Sequence, residues 1–323
     1  MIENIGIVGA GNIASFHIEA LIAAGFRLNG ICATPGSQRS KLLAAKYEIS
    51  NFDNISSLIM DSESQSYLIC VDERAVNSVL NEFSALDLPL LIEKPGPSMN
   101  HETSKNIFND KHDWFVAYNR RFYEPIDTLK KSFEEKGGFL TFRFIESCLI
   151  LDLFTLEKAL FNNTVHGIDL IQFIVGDFYL SEDFISVDVG LFEAKIISEL
   201  RGYIGKVTIL FGAPANSTIE LLRSGEIYLV QPLEILTKFN SIEVNEPSAK
   251  NPIRTYKPIW LEETEQIETC KLDFKPGFFR QAVEFKRNQR SINSPLCSVS
   301  ENYKTQLTIK KIVDFIKLSV RLR

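Results

Sequence analysis

A short apolar run, Ile5 to Val8, passes directly into Gly9-Ala10-Gly11-Asn12-Ile13-Ala14 and then into Ile18, Leu21 and Ile22 at helical spacing. A strand, a glycine turn and a helix account for that order, because the apolar period changes across the glycines. In the turn that cradles a dinucleotide, Gly9 makes the tight bend, Gly11 lets the backbone approach a pyrophosphate, and Ala14 lets helix pack on strand. N–H groups at the helix start then hold the phosphates. The alternative is a plain tight turn, and the flanking strand and helix argue against it. Gly9, Gly11, Asn12, Ile13 and Ala14 are thus the first candidate cofactor contacts.

The stretch that follows repeats strand and helix. Strands are expected at Leu28 to Cys32, Tyr67 to Val71, Leu88 to Ile92 and Trp114 to Tyr118. Helices are expected at Lys41 to Tyr47, Asn54 to Met60, Ala75 to Phe83 and Asn100 to Asn109. Such alternation with short connections implies a parallel, doubly wound sheet. An acid gripping the adenosine ribose normally stands ~20 residues beyond the glycines. Here the second strand ends in Ala33 and Thr34, with Arg39 opening the next helix after a Pro-Gly turn. Loss of the acid beside an arginine leans towards a 2′-phosphate, hence NADP rather than NAD, although Arg39 also suits a solvent-facing first turn.

Leu91-Ile92-Glu93-Lys94-Pro95 sets a lysine between a buried strand and a proline, which cannot continue a central strand. Ligands of open α/β sheets bind outside the carboxyl ends of strands, so Lys94 faces that crevice. Alone it also reads as a solvated lysine beside its glutamate. Tyr118, Asn119, Arg120 and Arg121 lie at the exit of the last strand, where an arginine can grip a carboxylate or phosphate bidentately or simply cap the domain.

The 323 residues, 45% hydrophobic and 24% charged, suit one large or two medium domains. A net charge of −6 disfavours nucleic-acid and anionic-membrane partners, and no apolar run reaches spanning length. Five scattered cysteines suggest neither a zinc site nor a disulfide framework, and a reducing cytoplasm fits them best. The N-terminal residues show no basic leader.

Four stretches together resemble the glucose-fructose oxidoreductase, inositol dehydrogenase and rhizopine-catabolism (Gfo/Idh/MocA) family: the N-terminal Gly-Ile-Val-Gly-Ala-Gly-Asn-Ile-Ala, Glu93-Lys94-Pro95, Ala117-Tyr118-Asn119-Arg120-Arg121-Phe122, and Val165-His166-Gly167-Ile168-Asp169-Leu170. The resemblance implies an α/β chain with an N-terminal Rossmann domain over 1–119. An α+β substrate-binding and oligomerisation domain with a large, mostly antiparallel sheet is implied over 120–323, its terminal helices able to return towards the first. Strand-like runs at Phe139 to Ile145, Ile185 to Phe192, Lys195 to Glu199, Lys206 to Phe211, Thr218 to Leu222 and Glu226 to Leu229 agree with that sheet.

By the same resemblance the chain is an NAD(P)-dependent oxidoreductase acting on a hydroxyl or ketone of a sugar, nucleotide sugar or polyol, assembled as a homodimer or homotetramer. Lys94 supplies positive charge and a hydrogen bond; His166, one of four histidines, trades a proton, with Asp169 on the same helical face. Glu93 and Val71 join the cofactor contacts, and Tyr118, Asn119, Arg120, Arg121, Asn162 and Asp169 the substrate contacts. Besides the acid missing after the second strand, two positions depart from the family pattern. Asn162 stands where many members carry an acid four residues before the histidine, and Val71-Asp72 replaces Thr-Pro after the third strand. A non-catalytic dinucleotide-binding or scaffolding relative, and a redox-neutral NAD-dependent glycosidase, are the alternatives.

Helices are also expected from Pro276-Gly277-Phe278 onwards, from Asn163 to Val175 and from Glu301 to Val320, the last with Tyr303, Leu307, Ile312, Phe315, Ile316 and Val320 as a core stripe. Asn240 to Tyr256 and Asn288 to Pro295 are the candidate linkers, and Tyr256 and Trp260 are expected in the core or flooring a sugar site.

Overall fold

A computed structural model of the chain describes residues 3–98, 112–148, 153–188, 190–265, 274–287 and 294–321. The helix expected at Asn100 to Asn109, most of the Asn288 to Pro295 linker and Cys270 lie outside the described residues. The chain divides into two compact units, Met1–Phe122 with Glu268–Leu307, and Tyr123–Ile267 with Thr308–Arg323.

The first unit is built on strands β1 (Asn4–Val8), β2 (Arg27–Cys32), β3 (Asn51–Phe52), β4 (Ser66–Ile69), β5 (Leu90–Ile92) and β6 (Trp114–Val116). Helices α1 (Asn12–Ala23), α2 (Gln38–Tyr47), α3 (Ile55–Asp61) and α4 (Glu73–Phe83) connect the first five strands in turn. The sheet order runs β3, β2, β1, β4, β5, β6, with every one of these pairings parallel. That is the doubly wound order, whose direction reverses between β1 and β4 and opens a crevice at their carboxyl ends. Both faces of the sheet are covered, so β4 and β5 are buried at every position. Helix α1 turns Ala14, Ile18 and Leu21 onto Ile5, Ile7 and Ile31, the core of this unit.

Residues from the far end of the chain complete the unit. A short strand, β15 (Cys297–Ser298), adds to β6 antiparallel, and helix α8 (Phe278–Arg287) lays Phe278, Ala282 and Phe285 into the same core. The last helix, α9 (Val299–Arg321), begins here with a buried polar stripe of Asn302, Thr305 and Gln306. Tyr303 and Leu307 were expected in its core stripe. Both are exposed, while Ile312 and Ile316 further along are fully buried.

The second unit carries an eight-stranded sheet in the order β14, β13, β12, β11, β7, β10, β9, β8. Its strands are β7 (Phe139–Glu146), β8 (Phe178–Asp188), β9 (Leu191–Ser198), β10 (Gly202–Phe211), β11 (Thr218–Arg223), β12 (Glu226–Val230), β13 (Ile235–Asn245) and β14 (Thr255–Glu265). Only the β7–β10 pairing is parallel. Strand β7 alternates Leu140, Phe142 and Phe144 towards the core with Thr141 and Arg143 on the open face. There Thr141 donates to Glu220 and Arg143 to Thr218, the cross-strand pairing expected of a half-solvated sheet. Helix α5 (Glu124–Lys136) and a longer helical stretch cover the apolar face. That stretch consists of α6 (Leu153–Ala159), a π-turn (Leu160–Thr164) and α7 (Val165–Val175).

The fold departs from the sequence expectations at three places. The run Ile185 to Phe192 is not one strand but the turn between β8 and β9, whose register pairs Asp188 with Leu191. The proposed linker Asn240 to Tyr256 is the outer part of the β13–β14 hairpin. A period-2 run so rich in polar residues reads as a loop until its partner strand supplies the hydrogen bonds. Trp260 and Tyr256 belong to neither a core nor a lined pocket, being about three-fifths exposed on that hairpin. Among the described residues no helix is long and apolar enough to cross a membrane, and Cys32, Cys70, Cys148 and Cys297 are free thiols.

Candidate functional site

The crevice of the first unit begins at Gly9, which follows β1 with φ +103°, a conformation side chains rarely adopt. A Cβ there would stand 2.1 Å from the Cys70 carbonyl oxygen, so glycine is dictated by the neighbouring strand end. The Gly9 N–H donates to the Cys32 carbonyl at 2.7 Å, which knits the ends of β1 and β2 together. Gly11 differs. It is the N-cap of α1 with ordinary extended dihedrals, and a Cβ built on it meets nothing within 4 Å. The helix start has neither a capping side chain nor an acid in its first turn. An open, uncapped helix N-terminus at a strand switch point suits a phosphate group. Asn12 is exposed and Ile13 half-buried beside it, while Ala14 is fully buried beneath.

At the end of β2, Ala33 is half-buried and Thr34 exposed. Ser37 caps α2 by accepting from the Ser40 N–H at 3.3 Å, leaving Arg39 exposed in the first turn. An acid not anticipated from the sequence stands close by. Burial raises the Cys32 thiol, and the Asp53 carboxylate just beyond β3 raises it further. Its sequence distance from β2 hid it, since β3 pairs with the end of β2 only in the folded sheet. Val71 is half-buried, and the Asp72 that replaces a proline caps α4, its carboxylate accepting from the Arg74 N–H at 3.1 Å.

Lys94 leaves the carboxyl end of β5 in a turn fastened from two sides. Gln306 of α9 donates to the carbonyls of Pro95 and Pro97 at 2.7 and 2.9 Å. Asn77 of α4 exchanges two hydrogen bonds with the Ser98 backbone. Burial lowers the Lys94 pKa below the ordinary lysine value; Glu93 opposes that shift, and the positive charges of Arg120 and Lys275 reinforce it. Glu93 in turn meets His17, whose Nε2 lies 3.3 Å from its carboxylate. His17 sits on the buried stripe of α1 between Ala14 and Leu21, with 2% of its surface exposed. A polar side chain at a core-facing helical position was the available signal for it.

The residues after β6 separate into two groups. Tyr118 is fully buried and donates its hydroxyl to Asn302 at 2.8 Å; Arg121 is 2% exposed and paired with Glu301 at 3.2 Å. Both were expected to contact substrate; in the fold both anchor the start of α9 inside the unit. Only the tertiary return of the chain supplies those partners. Asn119 is largely buried and donates to the Pro276 carbonyl at 2.9 Å, whereas Arg120 is half-buried and lies within electrostatic reach of Lys94.

On the second unit, His166 and Asp169 lie one turn apart on α7, 8% and 0% exposed. The end of β7 fixes the start of this helix. Asn163 donates to the Ile145 carbonyl at 3.3 Å, Thr164 donates to the buried Glu146 carboxylate, and Gly167 sits where a Cβ would press 2.7 Å from the Phe144 ring. The π-turn Leu160–Thr164 lies immediately before it, a feature common near functional residues. Asn162 lies within that turn and its amide donates to the Lys158 carbonyl of its own helix. Among the described residues no cluster of side chains could hold a metal ion.

Residues 3–108 match the family model GFO_IDH_MocA, described as an oxidoreductase family with an NAD-binding Rossmann fold. The matched stretch is the part of the chain that builds β1 to β5 of the parallel sheet. Three solved structures are similar over nearly the whole chain. A dehydrogenase (MviM) from Clostridium difficile is 16% identical with a TM-score of 0.68, covering 97% of this chain and 99% of that one. UDP-N-acetylglucosamine 3-dehydrogenase GnnA from Acidithiobacillus ferrooxidans is 14% identical with a TM-score of 0.68, covering 98% and 100%. A levoglucosan dehydrogenase in complex with NADH and levoglucosan is 16% identical with a TM-score of 0.69, covering 97% and 96%. At these identities the likeness establishes the fold. No curated protein matches the chain in sequence.

Proposed function

We propose that the chain is an NAD(P)-dependent dehydrogenase or reductase that moves a hydride between the nicotinamide and a hydroxyl-bearing carbon of a sugar, nucleotide sugar or polyol. The observation that carries this reading is Lys94, held at the carboxyl end of β5 on the same sheet edge as the open Gly9–Gly11 turn. Dinucleotide fits that edge because Gly11 leaves empty space against an uncapped helix terminus. Gly9, Gly11, Asn12, Ile13 and Ala14 would hold the phosphates, Ala33, Thr34 and Arg39 the adenosine ribose, and Val71 and Glu93 the nicotinamide side. When bound, the cofactor supplies a carbon that accepts or donates the hydride. Lys94 contributes a cation and hydrogen-bond donor to the substrate oxygen, stabilising negative charge as it develops. Its charge is sustained against burial by Glu93, which His17 holds in place. His166 is the proposed proton-transfer group, and Asp169, on the same face, orients it.

The absence of a carboxylate at Ala33–Thr34 and the exposed Arg39 support NADP as the preferred cofactor, with Asp53 the residue that would favour NAD. Titration of the purified protein with NADPH and NADH, followed by reduced-nicotinamide fluorescence, decides both points. Saturable binding, tighter for NADPH and lost in Gly11→Asp, is expected. A folded protein that binds neither dinucleotide refutes the dehydrogenase reading. The homodimer or homotetramer belongs to the same proposal and is supported by the exposed Ile242, Val244, Tyr256 and Trp260 on the β13–β14 hairpin. A carbohydrate-type small molecule is the proposed substrate partner.

A further inference from the structure

Around Lys94 the first unit brings together residues from separate parts of the chain. Strands β5 and β6 pair in parallel with Ile92 beside Val116, so Lys94 and the Asn119–Phe122 turn emerge from neighbouring strand ends. Asn119 donates to the Pro276 carbonyl at 2.9 Å, and Arg280 to the Phe122 carbonyl at 3.3 Å, which fastens the segment around Lys275 onto that turn. The Phe278 ring centre lies 4.4 Å from that of His17, the two rings tilted, and His17 reaches Glu93 beside Lys94. Lys275 itself is exposed, its ammonium 5.4 Å from the Phe278 ring centre and 5.6 Å from that of Phe16.

Three cations therefore meet at one edge of the sheet from three separate parts of the chain: Lys94 after β5, Arg120 after β6 and Lys275 before α8. Two carboxylates, Glu93 and Glu73, act on Lys94 in the opposite sense, and one of them is engaged by His17. Positive charges gathered at one edge of the sheet favour an anion placed among them. The Lys275 ammonium lies near two aromatic rings, which orient it without neutralising it.

We propose that Lys275 and Arg120 form an anion-recognition element beside Lys94, so that the substrate carries a carboxylate or phosphate group. This rests on the dehydrogenase reading and narrows it from carbohydrates at large to acidic or phosphorylated ones. A guanidinium supplies a planar, two-pronged donor and Lys275 a mobile point charge, a combination suited to an oxyanion. The phosphates of the dinucleotide are the other source of the same chemistry, because Phe16 lies on α1 shortly after its uncapped start.

The test uses the full-length chain saturated with the tighter-binding dinucleotide, titrated calorimetrically with glucuronate, glucose 6-phosphate and neutral glucose. At least one anionic sugar is expected to bind about tenfold or more tightly than glucose, a margin set by a charge-assisted contact. Lys275→Ala and Arg120→Ala should each erase that preference, Lys275→Arg should restore it, and dinucleotide affinity should stay within about twofold, since neither residue is assigned to the cofactor. Anions that bind no better than glucose, or not at all, overturn the proposal. So does a preference that survives both alanine variants. A fall in dinucleotide affinity with Lys275→Ala overturns it too, by assigning the anion to the cofactor. If the wild-type protein binds no dinucleotide, the dehydrogenase reading fails on its own account, and the same sugar comparison on the cofactor-free protein still decides the anion site.

Discussion

Lys94, the proposed catalytic cation, is held in a buried place at the expense of stability. Its pKa is lowered chiefly by burial, so it loses its proton at a lower pH than an exposed lysine. Between that lowered value and the ordinary lysine pKa of about 10.4 the unfolded chain binds more protons than the native one, and stability rises with pH. Below that window the charged Lys94 is a net cost to the fold. Lys94→Met should therefore melt at a higher temperature than wild type near neutral pH, while turnover on an identified substrate falls by about a hundredfold or more. An unchanged turnover would remove Lys94 from the reaction. His166→Ala should lower turnover by a comparable factor, about 10² to 10⁴, with NADPH binding retained. The two glycines of the turn separate folding from binding at the same scale. Gly9→Ala strains a φ of +103° and drives its Cβ into the Cys70 carbonyl, so loss of soluble folded protein is expected. Gly11→Ala has room in the fold, so an unchanged melting curve with weakened dinucleotide binding is expected there.

At the scale of elements, the turn that carries Lys94 depends on a helix distant in sequence. Gln306 of α9 holds the carbonyls on either side of Gly96, and it is 3% exposed, so no water replaces it readily. Gln306→Ala should cost about 1–3 kcal/mol in urea unfolding by stranding those carbonyls, and should lower kcat more than dinucleotide affinity. A variant as stable and active as wild type would show the turn to be held by the sheet alone. On the second unit, Gly167 lets α7 seat against Phe144. Gly167→Ala adds a methyl where none fits, and about 1–3 kcal/mol of destabilisation is expected. Neither dependence is visible in the local sequence. A glutamine in a polar helical run and a glycine beside a histidine each look unremarkable until the opposing surface is present.

For the molecule as a whole, the β13–β14 hairpin is the feature least at ease in isolation. Residues 240–261 are exposed throughout, although Ile242, Val244, Tyr256 and Trp260 are apolar or aromatic. A two-stranded ribbon in water is marginal without a covering surface. Light scattering on the full chain should accordingly report a homodimer or larger assembly, and Trp260→Glu should shift it towards monomer; a wild-type monomer at micromolar concentration would count against the proposed assembly. What the amino-acid sequence determined by itself is the local and periodic part. The strand, Gly9–Gly11 turn and helix, the parallel alternation that follows, the lysine at a strand end and the His166–Asp169 face of a helix all arise from short-range sterics and hydrophobic period. Only the tertiary structure decided which partner each polar residue meets. It buried Tyr118 and Arg121 against Asn302 and Glu301, brought His17 to Glu93, set Lys275 near Lys94, and turned a supposed linker into a hairpin. The physical reason is common to all of these: a charge or hydrogen-bonding group takes its role from the partner that satisfies it, and here each partner lies scores of residues away or on a strand that forms only when the sheet does.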